Sequence, residues 1–237
     1  MTKLDLEMLN KKFAKESPEE VILYITKELG ISNVILASSL SIEDQVLTDM
    51  LLKIDSKARV FFIDTGRHFL KTYELMAKTM RNYGFNYEVY APENKDIEEM
   101  VSTFGPNLFY DSIEHRKRCC ELRKVKPLQR ALSTTDGWIC GLRREQSPTR
   151  KELDLLEWDD LHGIYKINPI AHWSEEQVWE YIKQENVPYS DLYANGFRSI
   201  GCEPCTRAVK PEEDVRSGRW WWESPDKKEC GLHPVKR

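Results

Sequence analysis

The sequence contains no long hydrophobic run. Its apolar stretches are short, such as Val60–Ile63, whereas a helix needs about 20 apolar residues to cross a bilayer. The first residues, Met1–Glu7, are acidic and lack the apolar core of a secretory signal. These two absences predict a cytoplasmic protein that has no membrane partner.

An excess of positive charge is also missing. The formal net charge is −4, from 35 basic and 39 acidic residues, and this balance argues against a general nucleic-acid binder. The basic residues nevertheless form local clusters over residues 116–130 and 143–151. In an acidic protein such clusters suggest a pocket for a small anion, although a charge run more often marks a solvated helix face.

Internal repeats, low-complexity segments and the Gly-x-x-x-x-Gly-Lys phosphate loop of common ATPases are absent as well. The chain instead alternates apolar strands with amphipathic helices. Helices within residues 1–30 precede predicted strands over residues 34–37, 59–63, 87–90 and 138–142, and further helices are predicted over residues 43–53, 67–83, 111–132 and 174–186. Continuous apolar strands of this kind indicate an α/β fold with a parallel sheet covered by helices on both faces.

Small polar residues follow two of these strands. Ser39 and Ser41 lie between the first strand and a helix, and Asp64-Thr65-Gly66 follows the second strand. In an open α/β sheet ligands bind beyond the carboxyl ends of the strands, and a helix N-terminus favours anions. We therefore expect these segments to form opposite walls of a nucleotide crevice, although simple helix capping explains a serine-rich turn about as often.

Six cysteines are spaced for a metal site rather than for a disulfide framework, which a reducing compartment disfavours. They stand as Cys119-Cys120, Cys140, Cys202-x-x-Cys205 and Cys230. Four thiolates suit zinc, but neighbouring side chains on a helix diverge by about 100°, and the corners of an iron–sulfur cluster accept such divergent ligands more readily. The residues alone favour the cluster and leave zinc open; burial of the adjacent pair as plain core thiols is less compatible with its basic surroundings. Cys140, among apolar neighbours, is predicted to pack in the core.

Cys230 stands apart in Glu229-Cys230-Gly231-Leu232-His233. A thiol on a glycine-containing tail is well placed for motion, and nearby cations would lower its pKa and raise its nucleophilicity. An inert, exposed thiol is the general alternative.

Six motifs occur in an order that is similar to one enzyme family. They are Ser38–Asp44, Phe62–Gly66, Cys119–Lys124, Gly141–Ser147, Cys202–Arg207 and Glu229–His233. Together they resemble the assimilatory adenylyl-sulfate reductases over nearly all of the chain beyond the first helices. The two cysteine motifs and the terminal Glu-Cys-Gly-Leu-His are highly specific, whereas the serine loop is not. Leu40 stands where relatives commonly carry phenylalanine, which concerns only the fine shape of that wall.

The resemblance implies an adenine nucleotide α-hydrolase-like fold, related to ATP pyrophosphatases, with a mobile C-terminal tail. It implies one [4Fe–4S] cluster per chain, held by Cys119, Cys120, Cys202 and Cys205. It also implies a nucleotide-binding reductase domain over residues 1–210, with N-terminal helices and the iron–sulfur site, and a tail over residues 211–237 that carries the catalytic Cys230.

The implied activity is the reduction of adenosine 5′-phosphosulfate to sulfite and AMP in assimilatory sulfate reduction. Cys230 would carry an S-sulfonate intermediate, and thioredoxin would be the reductant. The substrate-binding residues implied by the motifs are Ser39, Ser41, Asp64, Thr65, Gly66, Lys124, Arg143, Arg144, Arg150, Arg216, Arg219 and His233. The sequence allows a homo-oligomer and predicts no nucleic-acid partner.

Three other functions stay open. A reductase of the 3′-phosphorylated substrate, or one that uses both substrates, is the nearest, but relatives specialised for that substrate generally lack the cluster cysteines. An ATP pyrophosphatase would not need the terminal Cys230 motif. An iron–sulfur redox sensor would not need a nucleotide crevice.

Overall fold

The computed structural model describes residues 4–147 and 150–224. The chain divides into two compact units. The first unit comprises Met1–Phe62, Leu75–Glu88 and Leu132–Tyr189, and the second comprises Ile63–Glu74, Val89–Ala131 and Ser190–Arg237. Residues 225–237 of the predicted tail lie outside the described residues, and the tail's boundary at residue 211 stays a prediction.

Eight α-helices occur in the part of the chain that the structure describes. They are α1 Leu6–Phe13, α2 Pro18–Leu29, α3 Ile42–Ile54, α4 Leu70–Tyr83, α5 Asn94–Phe104, α6 Ile113–Cys120, α7 Lys126–Leu132 and α8 Glu175–Glu185. None of them combines the length and the apolar composition that crossing a bilayer requires.

The helix starts follow from local capping. Ser17 accepts a hydrogen bond from the backbone N–H of Glu20 and precedes Pro18, the first residue of α2. Ser174 forms the same type of reciprocal capping box with Gln177 at the start of α8. These side chains satisfy N–H groups that have no partner within the helix, and they confirm two predicted helix starts.

Six strands form one sheet in the order β3-β2-β1-β4-β6-β5. The strands are β1 Val34–Ser38, β2 Arg59–Ile63, β3 Glu88–Tyr90, β4 Gly137–Ile139, β5 Leu156–Asp159 and β6 Ile164–Ile167. β1 pairs in parallel with β2 and β4, and β4 pairs in parallel with β6. Helices lie on both sides of this sheet. The predicted α/β class with a mainly parallel sheet is therefore confirmed.

Two parts of the fold were not predicted. The hairpin of β5 and β6 is antiparallel and places β5 at the sheet edge, so the sheet is mixed rather than wholly parallel. Helix α5 was missed because Glu93 precedes it without a side-chain capping bond, which leaves its start without a sequence signal. Strand β4 ends at Ile139, earlier than predicted, although the N–H of Cys140 still bonds the carbonyl of Ile167 at 2.9 Å.

Within the first unit, the buried carboxylate of Asp49 connects three helices. It accepts hydrogen bonds from the hydroxyls of Tyr83 in α4 and Tyr181 in α8, at 2.9 and 2.6 Å, and Lys53 Nζ lies 2.7 Å away. Burial and the neighbouring Asp49 raise the pKa of both tyrosines above the usual value. A buried carboxylate is tolerated only with such partners.

Replacing Asp49 with alanine should lower the free energy of unfolding by about 2–4 kcal/mol, because hydrogen bonds to a charged acceptor contribute about 1.5–3 kcal/mol each. Glu185→Ala is the matched control, since Glu185 also pairs with Lys53, at 2.6 Å, but is exposed, and its loss should cost less than about 1 kcal/mol. Denaturant unfolding followed by tryptophan fluorescence measures both. Equal losses in the two variants would contradict the assignment.

Candidate active site

Four cysteine side chains of the second unit line one pocket. Cys119 and Cys120 are the last two residues of α6, and Cys202 and Cys205 lie at the two ends of a short 3₁₀ turn. All four are buried, free thiols. The structure thus brings together the four residues that the sequence predicted as metal ligands, and we call this site the cysteine pocket.

The cysteine pocket is cationic. Four basic side chains line it, namely Arg67, Arg116, Arg123 and Lys124, and the lining residues within the described part of the chain include no carboxylate. Arg116, Arg123 and Lys124 are buried. Positive charge removed from water in this way favours thiolates over thiols and attracts anions.

Two of these cations reach the pocket through an irregular turn of helix. Between α6 and α7 the chain forms a π-helical turn over Glu121–Val125, a rare geometry that often occurs at functional sites. Arg123 and Lys124 are adjacent in this turn, yet both are buried and both line the pocket. Arg123 is held in place because its Nη1 donates to the carbonyl of Thr65 at 2.6 Å.

The loop that follows β2 supports the second cysteine motif. Thr65 Oγ1 lies 3.3 Å from Cys202 Sγ, within hydrogen-bond distance for sulfur. The backbone N–H of Glu203 donates to the carbonyl of Arg67 at 2.8 Å. The predicted nucleotide-binding residue Thr65 therefore contacts the cysteine pocket directly.

Asp64 and Gly66 give this loop its shape. Gly66 has a positive φ of 67°, which glycine adopts without steric cost, and its N–H donates to Asp64 Oδ1 at 2.8 Å. The hydroxyl of Tyr73 donates to the same oxygen at 2.7 Å. In the described contacts Asp64 thus orders the turn.

The surroundings of the pocket shift the pKa values of two of the thiols in opposite directions. Burial alone would raise the pKa of Cys202, but the charge of Lys124, the hydrogen bond with Thr65 and neighbouring arginines bring that pKa below its usual value. Burial, together with repulsion from Cys202, raises the pKa of Cys205 to about 12. Cys202 is therefore ionised more readily than Cys205.

Arg219, from the predicted anion-binding motif, is buried in the second unit. Its guanidinium lies 4.9 Å from the ring centroid of Trp220, and its charge contributes to the lowered pKa of Cys202. Gly201 makes room for it, because a Cβ there would lie 2.2 Å from Arg219 Nη2. Arg216 is half-buried in a turn in which its N–H donates to Asp214 Oδ1 at 2.8 Å.

In the first unit, the serine loop after β1 is closed by Asp44. The backbone N–H and the hydroxyl of Ser39 donate to Asp44 Oδ2 at 2.7 and 2.6 Å, and the hydroxyl of Ser41 accepts from the N–H of Asp44 to cap α3. Leu40 between the serines has a positive φ of 63°, a conformation rare for a branched side chain. Burial raises the pKa of Asp44 to about 6.

Arg143 is engaged by a carboxylate of the same unit. Its Nη2 lies 2.9 Å from Glu43 Oε1, with both side chains buried, and Gln146 Nε2 donates to the same oxygen at 2.9 Å. Gly141 allows this close packing, because a Cβ there would lie 2.3 Å from Asp44 Oδ1. The end of β4 and the start of α3 are thereby tied together.

The other two predicted arginines of the first unit also contact protein groups. Arg144 Nε donates to the carbonyl of Leu153 at 2.8 Å, and Arg150 Nη1 donates to Gln146 Oε1. Cys140 is buried, and burial raises its pKa above the usual value, which confirms the prediction that it packs in the core. Cys230 and His233 lie outside the described residues.

The structure places three further residues at or beside the cysteine pocket; the sequence indicated Arg116 only as part of a basic cluster and assigned no site role to Trp220 or Glu223. Arg116 lies one helical turn before the cysteine pair, so its spacing alone could have indicated a shared helix face. Trp220 is fully buried and lines the pocket. Glu223 pairs with Arg116 at 2.8 Å across 107 positions of sequence, and no local signal announces it.

Comparison with known proteins agrees with this arrangement. The profile of the phosphoadenosine phosphosulfate reductase domain matches residues 33–208, a range that contains the four pocket cysteines. A protein of Allochromatium vinosum named adenosine 5′-phosphosulfate reductase is 48% identical over 214 residues, which cover 90% of this chain and 83% of that protein.

Solved structures support the same assignment. The phosphoadenylyl-sulfate reductase of Candida auris, in a phosphate complex, superposes with a TM-score of 0.75 and 28% identity, covering 88% of this chain and 99% of the other. Yeast FAD synthetase superposes with a TM-score of 0.59 at 13% identity, covering 100% of this chain and 83% of the other, a likeness that concerns the fold alone. The sequence resemblance, the cysteine pocket and these matches agree, and this chain belongs to the phosphoadenosine phosphosulfate reductase family.

Proposed function

We propose that this chain is an oxidoreductase that reduces adenosine 5′-phosphosulfate to sulfite and AMP in assimilatory sulfate reduction, with thioredoxin as the reductant. The observation that carries the proposal is the cysteine pocket, in which four thiols meet four cations and no described carboxylate. The 48% identity to a protein named for this reduction supports it. The substrate is an anion at its sulfate and its phosphate, so cationic surroundings favour its binding.

The cysteine pocket fits an iron–sulfur cluster, and we assign one [4Fe–4S] cluster to Cys119, Cys120, Cys202 and Cys205. The donor set is four thiols around one cavity. In the described residues no three His, Cys, Asp or Glu side chains are grouped to hold a single ion. Such a cluster would supply a fixed charge and a rigid link between α6 and the second cysteine motif. Free, buried thiols suit the reducing cytoplasm, the compartment that we propose.

Within the second unit, Lys124 and Arg219 are the cations that we assign to the sulfate and phosphate, with Arg216 from the same motif. Lys124 lines the cysteine pocket, and both Lys124 and Arg219 lower the pKa of Cys202, so both place positive charge near this thiol. Ser39, Ser41, Arg143 and Arg144 of the first unit stay predictions for substrate binding, as does His233, and Arg150 stays a prediction for binding the sulfate and phosphate. Of these, Arg143 and Ser39 would act as parts of the loop that Glu43 and Asp44 hold.

The first chemical step is a displacement at sulfur by the Cys230 thiolate. The thiolate forms an S–S bond to the sulfonyl sulfur, the bond between that sulfur and the phosphate oxygen breaks, and AMP leaves with the electron pair. Lys124 and the arginines offset the repulsion between an anionic nucleophile and an anionic substrate. An S-sulfonated Cys230 remains.

The second step releases sulfite. A thioredoxin thiolate attacks the Cys230 sulfur, sulfite departs with the electron pair of the S–S bond, and a mixed disulfide forms. The second thiol of thioredoxin then resolves this disulfide and frees Cys230. Two electrons pass from the dithiol to sulfur, and the dithiol becomes a disulfide, so no other reductant is needed.

The runner-up substrate is the 3′-phosphorylated form, which the Candida auris relative is named for. That relative is 28% identical, whereas the Allochromatium vinosum relative named for the unphosphorylated substrate is 48% identical. The comparison favours adenosine 5′-phosphosulfate.

The iron content tests the cluster. Protein purified without oxygen should be brown, absorb near about 400 nm and hold about four irons per chain, as thiolate-ligated cubane clusters do. Cys120→Ser and Cys202→Ser should lose iron and activity together. Cys140→Ala is the control, since Cys140 is buried outside the pocket, and it should keep its iron. Stoichiometric zinc in colourless, active protein would contradict the assignment.

Substrate choice is measured by kcat/KM with each nucleotide. We expect at least about a tenfold preference for adenosine 5′-phosphosulfate over its 3′-phosphorylated form, equal to about 1.4 kcal/mol of transition-state free energy. Equal efficiency would instead make the protein a dual-specificity reductase.

The role of Cys230 is tested by single turnover without thioredoxin. The wild-type chain should release one equivalent of AMP and gain about 80 Da, one SO₃ group, on the peptide that contains Cys230. Thioredoxin should then remove that mass and liberate sulfite. Cys230→Ser should abolish both events while keeping its iron. An adduct on Cys140 would show that the nucleophile is misassigned, and sulfite formed without any adduct would refute the covalent mechanism.

A further inference from the structure

The chain just before residue 225 is fixed to the cysteine pocket at several points. We call residues 218–223 the anchor segment. The N–H of Arg207 donates to the carbonyl of Gly218 at 3.0 Å, and the N–H of Trp220 donates to the carbonyl of Cys205 at 3.1 Å. A Cβ on Gly218 would lie 2.4 Å from the carbonyl oxygen of Arg207, so the close approach requires glycine. The anchor segment therefore runs directly beside the second cysteine motif.

The last residue of the anchor segment forms a buried ion pair with α6. Arg116 Nε donates to Glu223 Oε1 at 3.0 Å, and Arg116 Nη2 donates to Glu223 Oε2 at 2.8 Å. The two side chains are 1% and 3% exposed. The guanidinium also lies 4.7 Å from the ring centroid of Trp220. This bidentate geometry fixes direction as well as distance.

Stability alone is a weak reason for such a pair. Well-packed apolar side chains commonly stabilise a buried site at least as well, because desolvating two charges offsets most of their attraction. A bidentate pair, however, allows only one relative placement of its two elements. One partner here lies a helical turn before Cys119 and Cys120 and lines the pocket. The other belongs to the segment that leads to Cys230.

The number of residues between Glu223 and Cys230 limits how far Cys230 can lie from the ion pair. Cys230 follows Glu223 by seven residues, so a fully extended chain lets it reach at most about 25 Å from the pair. A short tether from a fixed point raises the effective concentration of a tail group near the pocket, and the gain is lost when the fixed point moves.

We infer that Glu223 and Arg116 are positioning residues for the Cys230 step, in that their ion pair fixes the base of the tail to the cysteine-bearing helix. This inference rests on the proposed function. The pair does not touch the substrate in the proposed mechanism; it sets how often the Cys230 thiolate meets the sulfonyl sulfur.

Glu223→Gln tests the pair, because it keeps the side-chain volume and removes the negative charge. Glu223 is the suitable partner to change, since it does not line the pocket whereas Arg116 does. In single turnover with excess adenosine 5′-phosphosulfate and no thioredoxin, the rate constant for AMP release should fall at least about tenfold, as misplacement of a reacting group predicts. Iron per chain and the Kd for the nucleotide, measured on protein with Cys230 also replaced by serine, should stay unchanged. Hydrogen exchange of the Trp220 amide should become faster, which reports the loosened anchor without any turnover.

Glu213→Gln is the matched control. Glu213 also pairs with an arginine of the same unit, Arg207, at 2.7 Å, but this pair is partly exposed and spans only six positions. Its AMP-release rate and its Trp220 exchange should match the wild type within about twofold, as expected for a local, exposed pair.

Three results would overturn the inference. One is a wild-type rate in Glu223→Gln, and another is unchanged exchange at Trp220. The third is loss of iron in proportion to activity, which would make the pair only a support for the cysteine pocket. If Glu223→Gln does not fold, Glu223→Asp, which keeps the charge on a shorter side chain, is measured instead and should show the same split between rate and iron content. Wild-type protein that releases no AMP would refute the proposed function, whereas the exchange measurement would still decide whether the pair holds the anchor.

Discussion

Positive charge buried beside four thiols is the constraint on which the second unit depends. A guanidinium or ammonium group removed from water is costly unless negative charge compensates it. Glu223 compensates Arg116, but the described pocket lining itself contains no carboxylate. Arg123 is hydrogen-bonded to the carbonyl of Thr65, and the charges of Lys124 and of the nearby arginines bring the pKa of Cys202 below its usual value. The same buried positive charge therefore favours both ionised thiols and bound anions.

Local backbone geometry places the positive side chains in the pocket. The π-helical turn over Glu121–Val125 lets Arg123 and Lys124 line the pocket together, and the loop after β2 holds Arg123 through the Thr65 carbonyl. The first unit uses its charges differently. There Glu43 engages Arg143, and Asp44 closes the serine loop, so polar residues after β1 and β4 are bonded to buried carboxylates at the start of α3.

Much of the fold was predictable because its signals are local. The buried runs of β1 and β2 and the capping residues Ser17 and Ser174 each act within a few positions of the chain. Helix α5 and the β5–β6 hairpin lack such local signals. Helix α5 begins without a side-chain cap, and the hairpin strands contain charged residues rather than a continuous apolar run. Such strands depend on their sheet neighbours rather than on their own composition.

The sequence by itself determined the family, the α/β class and the four thiols, since motif order and cysteine spacing are properties of the chain alone. Only the tertiary structure decided which cations share the pocket with those thiols and that Thr65 contacts Cys202. It also decided that Glu223 pairs with Arg116, 107 positions away. The physical reason is that adjacent residues on a regular helix point about 100° apart, so the helical pattern alone does not bring Arg123 and Lys124 into one pocket, and a contact across 107 positions depends on the tertiary fold.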